Sequence, residues 1–240
     1  MRISTLTLGL SVVALSAFAA SAAPANLVTN GGFEASSYTQ NNQFGMGFGG
    51  QGVTGWTATN GYNLYEFGGT QSTTNAISQF GYTGKEYFPT VANVASPNGG
   101  NFVALDGDPK FESAISQTIK GLIVGKIYKL AFDWAGTQLR SRSGATTESL
   151  QVTLGKDLNK TTKVVKVGSQ GFVGWIGQSY TFKASTTSEL LNFLSIGSPS
   201  GLPPVAFLDG VSLTQNVPEP AALGLIGLGL AGLALRTRRR

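Results

Sequence analysis

The chain has 240 residues but no cysteine and no histidine, and only 12% of its residues are charged. These absences exclude a Ser-His-Asp triad and a cysteine nucleophile. They also exclude zinc sites built on Cys or His, haem sites with a His axial ligand and cysteine-ligated iron–sulfur clusters. Disulfides cannot stabilise the fold, which must depend on its core or on a bound metal. Any such metal would be a hard cation held by oxygen atoms.

The net charge of +5 comes from the two ends of the chain, where Arg2 and four of the last five residues are arginines. Residues 24–217 contain ten Lys, two Arg and eleven acidic residues, so 12 − 11 leaves a net charge of +1. Binding to nucleic acid requires a basic face on the folded domain. We therefore expect no nucleic-acid partner.

Residues 1–22 have the pattern of a secretory signal peptide. Arg2 precedes an apolar run from Leu6 to Ala20, and Ala20-Ser21-Ala22 satisfies the small-x-small rule for cleavage. We expect removal by signal peptidase after Ala22. An uncleaved membrane anchor is the alternative, which the short run and its small-residue end disfavour.

Residues 217–240 form a second targeting segment. Pro218-Glu219-Pro220 is followed by an apolar stretch, Ala221–Leu235, and then by the arginines up to Arg240. As a helix the stretch would span roughly 22 Å, short of the roughly 30 Å hydrocarbon core of a bilayer. The positive-inside rule would keep the arginines in the cytoplasm and Pro218 outside. This predicts a marginal transmembrane helix that holds the protein in the membrane before processing.

This tail resembles the PEP-CTERM sorting signal, with its Pro-Glu-Pro, short apolar helix and terminal Arg cluster in the same order. The resemblance implies that an exosortase, a membrane cysteine protease, cuts near Pro218, Glu219 and Pro220. It also implies export to the envelope, surface or matrix of a Gram-negative bacterium, and a link to exopolysaccharide and biofilm production. An ordinary single-pass anchor is the alternative.

Between these segments, residues 24–216 predict an all-β domain. Period-two alternation, which is typical of half-buried strands, is clear in Lys126–Trp134 and Leu150–Leu154. In the last strand, Val205, Phe207, Val211 and Leu213 are expected on one face, with Asp209 among them. Eight or more short strands separated by turn residues favour an antiparallel jelly-roll β-sandwich.

An aromatic and glycine-rich segment, residues 40–89, is the first candidate for ligand contact. Aromatic rings can stack on the apolar faces of sugars, and amide side chains can bind sugar hydroxyls. Trp56, Tyr62 and Tyr65 are the named candidates, with core packing as the alternative for each. The other aromatic residues of the segment are Phe44, Phe48, Tyr82 and Tyr87.

Several segments of the domain resemble galactose-binding-like jelly rolls of the carbohydrate-binding-module type. The matching segments are Asn26–Glu34, Gly55-Trp56, Asn101–Gly107, Ile115–Ile119, Gly121–Phe132, Tyr180–Ala184 and Phe207–Leu213. In that family, acidic residues from the first and last strands commonly bind a structural Ca²⁺, and the matching residues here are Glu34 and Asp209. In the alternative, Asp209 accepts hydrogen bonds from loop N–H groups and Glu34 is solvated.

The function that we favour at this point is that of an exported, non-catalytic envelope or matrix protein that binds the exopolysaccharide of the producing cell. A purely structural surface protein without affinity for sugars is the first alternative. A polysaccharide-modifying enzyme is the second, and it would need a pair of carboxylates facing one cleft. Asp106, Asp108 and Glu112 are close in sequence, but they surround a Gly-Pro turn.

Overall fold

The computed structural model describes residues 24–39, 42–45, 52–68, 95–139 and 142–217. These ranges contain twelve β-strands and no helix. The strands are β1 (Asn42–Gly45), β2 (Thr57–Asn60), β3 (Tyr62–Glu66), β4 (Phe102–Asp106), β5 (Ala114–Lys120), β6 (Ile127–Gln138), β7 (Thr146–Leu154), β8 (Leu158–Thr161), β9 (Val165–Val167), β10 (Ile176–Lys183), β11 (Ser188–Ser198) and β12 (Pro204–Gln215).

The strands form two antiparallel sheets. The first sheet has the order β1-β3-β4-β12-β6-β10, and the second has the order β2-β5-β11-β7-β8, with β9 also paired to β7. From β4 to β7, and again from β10 to β12, each successive strand lies in the other sheet. Such alternation between two packed sheets is that of a jelly-roll β-sandwich, so the predicted fold class is confirmed.

The main core lies between the two sheets, and the period-two pattern of the sequence correctly predicts its members. Alternate residues from Tyr128 to Trp134 in β6 are buried, as are those from Leu150 to Leu154 in β7. β11 contributes Leu191 and Phe193 from the centre of the second sheet. Burying each of these large side chains stabilises the fold by about 1.5–3 kcal/mol relative to leaving it exposed.

The prediction for the last strand is wrong in one respect. β12 has a bulge around Gly210, where its register against β6 shifts between Asp209 and Ser212. A one-residue shift moves every later side chain to the opposite face. As a result, the four residues expected on one face are divided: Val211 and Leu213 lie in the main core, whereas Val205 and Phe207 belong to a smaller cluster on the outer face of the first sheet.

The two ends of the domain lie at the same end of the sandwich. The Leu27 N–H donates to the Leu213 carbonyl at 2.8 Å, and the Asn216 N–H donates to the carbonyl of Ile127, the first residue of β6, at 2.8 Å. Within the described ranges, no helix has the length and apolar character needed to cross a membrane. The predicted signal peptide, residues 1–22, lies outside the described residues, as does the tail after Val217.

The environment of Tyr65 yields a stability prediction. Its side chain is fully buried, and its hydroxyl donates to the Phe33 carbonyl at 2.8 Å. Tyr65→Ala should lower the free energy of unfolding by about 3–5 kcal/mol because it leaves a cavity. Tyr65→Phe keeps the ring and should cost only about 1 kcal/mol, for the lost hydrogen bond. Urea unfolding of both variants measures the difference, and two equal losses would contradict a packed ring.

Candidate functional site

The structure brings Glu34 and Asp209 together around Gly32. A Cβ atom placed on Gly32 would lie 3.9 Å from Asp209 Oδ1 and 4.0 Å from Glu34 Cγ. Glu34 reaches this position because the chain turns sharply just before it, with Asn30 and Phe33 both at positive φ. Asp209 is in β12 directly before the bulge. The first and last segments of the domain therefore contribute one carboxylate each to the same place.

Loop 95–101 covers these two acids. The Ser96 hydroxyl donates to Asp209 Oδ2, and the Asn101 N–H donates to Glu34 Oε1 at 2.7 Å. The Asn98 amide donates to Asp133 Oδ2 at 2.8 Å, and Asp133 is paired with Asp209 across the sheet. Hydrogen bonds from one loop thus hold three neighbouring carboxylates.

Two glycines make this arrangement possible. A Cβ on Gly100 would overlap the Glu34 carboxylate, and a Cβ on Gly210 would overlap the Asn98 side chain. Gly210 also has a φ of 60°, a conformation that L-residues with a side chain rarely adopt. The side chain of Asn98 takes up the space that a side chain at position 210 would need.

Asp209 is the most perturbed group of this cluster. Burial raises its pKa to about 7; the hydrogen bond from Ser96 and the N–H of Gly210 lower it, and the charges of Glu34 and Asp133 raise it. Its Oδ1 atom is buried and has no hydrogen-bond partner. An unpartnered buried carboxylate oxygen beside a second carboxylate is a fitting environment for a hard cation.

The geometry limits how a metal could be held. The part of the chain that the structure describes contains no group of three or more Asp, Glu, His or Cys residues arranged to hold a metal ion. A cation here would be bound by Glu34 and Asp209 and would need neutral oxygen atoms to complete its shell. Ca²⁺ accepts hydroxyl, amide and main-chain oxygen atoms as well as carboxylates.

The three aromatic candidates occupy different environments. Trp56 is 2% exposed, packs on Phe33 with ring centroids 5.2 Å apart, and donates from Nε1 to the Asn30 carbonyl at 2.9 Å. Tyr65 is 0% exposed. Neither ring has a face on which a sugar could stack, so both are core residues. Tyr62 is half-buried against Phe111, with ring centroids 5.3 Å apart.

An aromatic cluster on the outer face of the first sheet was missed by sequence reasoning. Phe102 and Phe207 lie 4.8 Å apart, and the Trp175 ring covers them at centroid distances of 5.5 and 5.9 Å. Trp175 is half-buried. It stands directly before β10 and after Gly174, and such a lone tryptophan at the end of a loop is the signal that could have identified it.

A pocket of about 490 Å³ lies on the outer face of the second sheet. Hydroxyl groups dominate its lining, together with one amide, one apolar side chain and one lysine; the lining residues are Thr29, Gly55, Thr57, Ser116, Gln117, Thr118, Lys120 and Leu190. Gln117 is already engaged, because its amide bonds the backbone of Thr29 and Gly55. Gly55 and Thr57, the two neighbours of Trp56 in the sequence, therefore line the pocket.

Asp106 and Glu148 form a second acidic pair, remote from Asp209. Glu148 is fully buried, and its Oε1 accepts hydrogen bonds from the Ser149 N–H at 2.9 Å and the Ser195 hydroxyl at 3.1 Å. Burial raises the pKa of Glu148 to about 8, and the nearby charge of Asp106 contributes to the increase. Burial likewise raises the pKa of Asp106 to about 7.

Asp108 has the opposite shift. Burial alone would raise its pKa, but hydrogen bonds from the Lys110 and Gly201 N–H groups and the Ser200 hydroxyl lower it overall. Asp108 therefore anchors the β4–β5 connection to the β11–β12 connection as a charged acceptor. Asp106 is partly buried at the end of β4, whereas Asp108 is 1% exposed and holds the loop.

Several predicted residues lie outside the described part of the chain. They include the sorting residues Pro218, Glu219 and Pro220 and the aromatic residues Phe48, Tyr82 and Tyr87. Phe44 is in β1, but only its backbone is described.

Comparison with protein families identifies the tail. Residues 216–240 match the PEP-CTERM protein-sorting motif. The chain therefore carries a sorting signal of exported, surface-associated proteins, as the sequence predicts. Residues 89–203 are similar to a family described as a protein of unknown function, DUF642.

One similar protein is Halomucin of Haloquadratum walsbyi, which is 28% identical over 199 residues. The match covers 82% of this chain but only 2% of Halomucin, so the chain spans a very small part of that relative.

Two solved structures are similar in outline. TmCBM61, solved in complex with β-1,4-galactotriose, has 14% identity and a TM-score of 0.42 over 80% of this chain and 99% of its own. The CBM22-1 xylan-binding domain of Paenibacillus barcinonensis Xyn10C has 10% identity and a TM-score of 0.36 over 82% of this chain and 97% of its own. Both TM-scores are below 0.5, and neither likeness bears on what this chain binds.

The buried carboxyls predict how stability depends on pH. The pKa of Glu148 is raised from 4.5 to about 8 in the folded state, so its stabilising contribution is complete below about pH 4.5 and is lost as the pH rises through 8. Between pH 5 and pH 8 this group alone should lower the free energy of unfolding by about 3 kcal/mol. Urea unfolding at the two pH values measures the change.

Glu148→Gln should remove that share of the pH dependence, because the amide stays neutral at both pH values. Glu112→Gln, in the β4–β5 connection, is the matched control and should keep the wild-type dependence. If Glu148→Gln and the wild type lose equal stability between pH 5 and pH 8, the prediction that Glu148 is buried as a neutral carboxyl group is refuted.

Proposed function

We propose that this protein is exported, sorted at the cell envelope through its C-terminal tail, and displayed there as a non-catalytic binding protein for the polysaccharide of the producing cell. The observation that supports this proposal is the short distance in sequence between the last strand and the sorting motif. β12 ends at Gln215, and the sorting motif begins at residue 216, with no linker between them. The sandwich is therefore held next to the membrane while the tail is inserted and processed by an exosortase.

The pocket on the second sheet supports a carbohydrate ligand. Its hydroxyl groups, including those of Thr57, Ser116 and Thr118, can exchange hydrogen bonds with sugar hydroxyls, and Leu190 offers an apolar contact. Lys120 adds one cation, which suits a neutral or weakly acidic sugar. A shallow site of this kind should bind in the millimolar-to-micromolar range, or about 4–8 kcal/mol.

The environment of the second acidic pair supports a non-catalytic role. Glycoside hydrolysis needs two carboxyl groups on either side of the scissile bond. Glu148 is fully buried, and a Cβ on Gly107 would overlap its carboxylate, so a substrate has no room beside it. The raised pKa values of Asp106 and Glu148 then follow from enclosure in the fold rather than from a reactive cleft.

Filling the pocket tests the binding proposal. Thr118→Trp should abolish retardation of the protein in affinity electrophoresis on the producer's exopolysaccharide, because the ring would occupy the space between Lys120 and Leu190. Thr181→Trp is the matched control, an exposed threonine on β10 in the other sheet, and should bind like the wild type.

Equal binding by Thr118→Trp and Thr181→Trp would exclude this pocket. A wild-type protein that no polysaccharide retards would remove the binding function and leave a structural surface protein.

We further propose that Glu34 and Asp209 bind a structural Ca²⁺ ion. The unpartnered Oδ1 of Asp209 supports this, since a cation would compensate the burial of that carboxylate. The ion would tie the beginning of the domain to β12 and would keep Asp209 ionised at neutral pH.

Calcium should therefore raise the melting temperature of metal-free protein. A ligand that binds only the native state stabilises it by about 2.7 kcal/mol at a hundredfold excess over its Kd. Glu34→Gln should reduce the increase in melting temperature that calcium causes. Glu148→Gln, at the remote acidic pair, should keep the full increase. Identical melting curves of the wild type in excess calcium and in excess chelator would eliminate the site.

A further inference from the structure

Four exposed apolar side chains lie together where the chain leaves the sandwich. Ile123 and Val124 are in the β5–β6 connection, Ile127 begins β6, and Val217 follows β12, and each is at least 50% exposed. We name these four residues the exit patch. The Lys126 N–H bonds the Ile123 carbonyl at 3.1 Å, and the Asn216 N–H bonds the Ile127 carbonyl at 2.8 Å, so the two segments of the patch are directly linked.

The exit patch is held in a fixed shape by the fold beneath it. The Tyr128 hydroxyl accepts a hydrogen bond from the Ile123 N–H at 2.9 Å, and Tyr128 itself is buried. The Gly125 N–H bonds the Ala184 carbonyl at 2.8 Å, and the Ala184 N–H bonds the Lys126 carbonyl at 2.9 Å. The apolar side chains therefore project from an ordered turn.

Lysines surround the patch. Lys120 ends β5, Lys126 precedes β6, and Lys183 ends β10 opposite Ile127; all three are exposed. The acidic residues at this end are Asp157, which accepts a hydrogen bond from the Ser185 N–H, and Glu189, which is buried. Apolar side chains ringed by cations are the composition that binds at the surface of an anionic bilayer.

The position of the tail indicates which surface the exit patch contacts. Ala221, where the apolar stretch begins, is four residues after Val217. Four residues of extended chain span at most roughly 14 Å. With the stretch inserted, the exit patch is therefore held within roughly 14 Å of the hydrocarbon core of the same bilayer.

We propose that the exit patch docks on an anionic phospholipid surface and orients the sandwich on the membrane while the tail is inserted. This inference rests on the proposed function in one respect, the insertion of the tail. Docking would orient β6 so that its long axis points away from the membrane surface. The far end of the twelve-residue β6 would then stand roughly 40 Å from the lipid.

Because the chain has no cysteine, single-cysteine labelling reports the orientation directly. The full chain is reconstituted through its tail into vesicles of phosphatidylglycerol and phosphatidylcholine, with an environment-sensitive fluorophore on Val124→Cys. The label should be blue-shifted and quenched severalfold by nitroxide-bearing lipid. The matched control is Ser143→Cys, exposed in the β6–β7 connection at the opposite end, and its label should not be quenched.

A charge exchange tests the lysines. In the Val124→Cys background, Lys126→Glu with Lys183→Glu should lower lipid quenching severalfold. Lys163→Glu with Lys166→Glu, two exposed lysines away from the patch, carries the same charge change and should leave the quenching intact. Equal quenching in the two double variants would overturn the electrostatic part of the proposal.

Flotation of the vesicles distinguishes a failure of docking from a failure of tail insertion. Protein that floats with the vesicles but has an unquenched Val124 label would overturn docking and leave the inserted tail in place. A blue-shifted label that lipid quencher does not reach would assign the patch to a second copy of the chain and also overturn docking. Protein that does not float would overturn tail insertion and docking together.

Discussion

The bulge at Gly210 is the constraint on which most of the other features depend. β12 lies at the centre of the first sheet, between β4 and β6, and it changes face at this point. Before the bulge, Val205 and Phe207 lie in the outer cluster, and after it Val211 and Leu213 lie in the main core. Asp209 is the last residue before the bulge and lies on the outer face with Val205 and Phe207, where loop 95–101 and the start of the domain cover it. One glycine thus connects the two hydrophobic clusters and the acidic site.

Much of this architecture could be predicted from local sequence patterns. Alternation is clear from Ile127 to Trp134 in β6 and from Leu150 to Leu154 in β7, so the buried face of these segments follows from the residue order. The bulge could not be predicted, because a two-residue period looks the same on either side of a one-residue shift, and only the pairing of β12 with β6 reveals it. Ser96 and Asn98 were missed for a related reason, since the acids that they contact lie more than 30 residues away in the chain.

The residues of the candidate site could likewise be predicted only in part. Glu34 and Asp209 were identified through a resemblance, and the fold places them together. The aromatic residues were chosen for their chemistry alone, and chemistry does not distinguish a ring that stacks on a ligand from one that packs in a core. Trp56 and Tyr65 have hydrogen bonds to backbone carbonyls of the first segment, so both fix the turn that positions Glu34. Their contribution to the site is indirect and structural.

The pairing of β6 with β12 also determines how the domain would carry a mechanical load. The tail leaves from the end of β12, and the two strands are paired in antiparallel register over most of their length. Ladder hydrogen bonds lie perpendicular to the strands. A force applied to the end of β12 and resisted by the rest of the sandwich would act along β12 and shear all of these bonds at once instead of opening them in turn. In that geometry, the central strand distributes a force on the end of β12 across the whole first sheet.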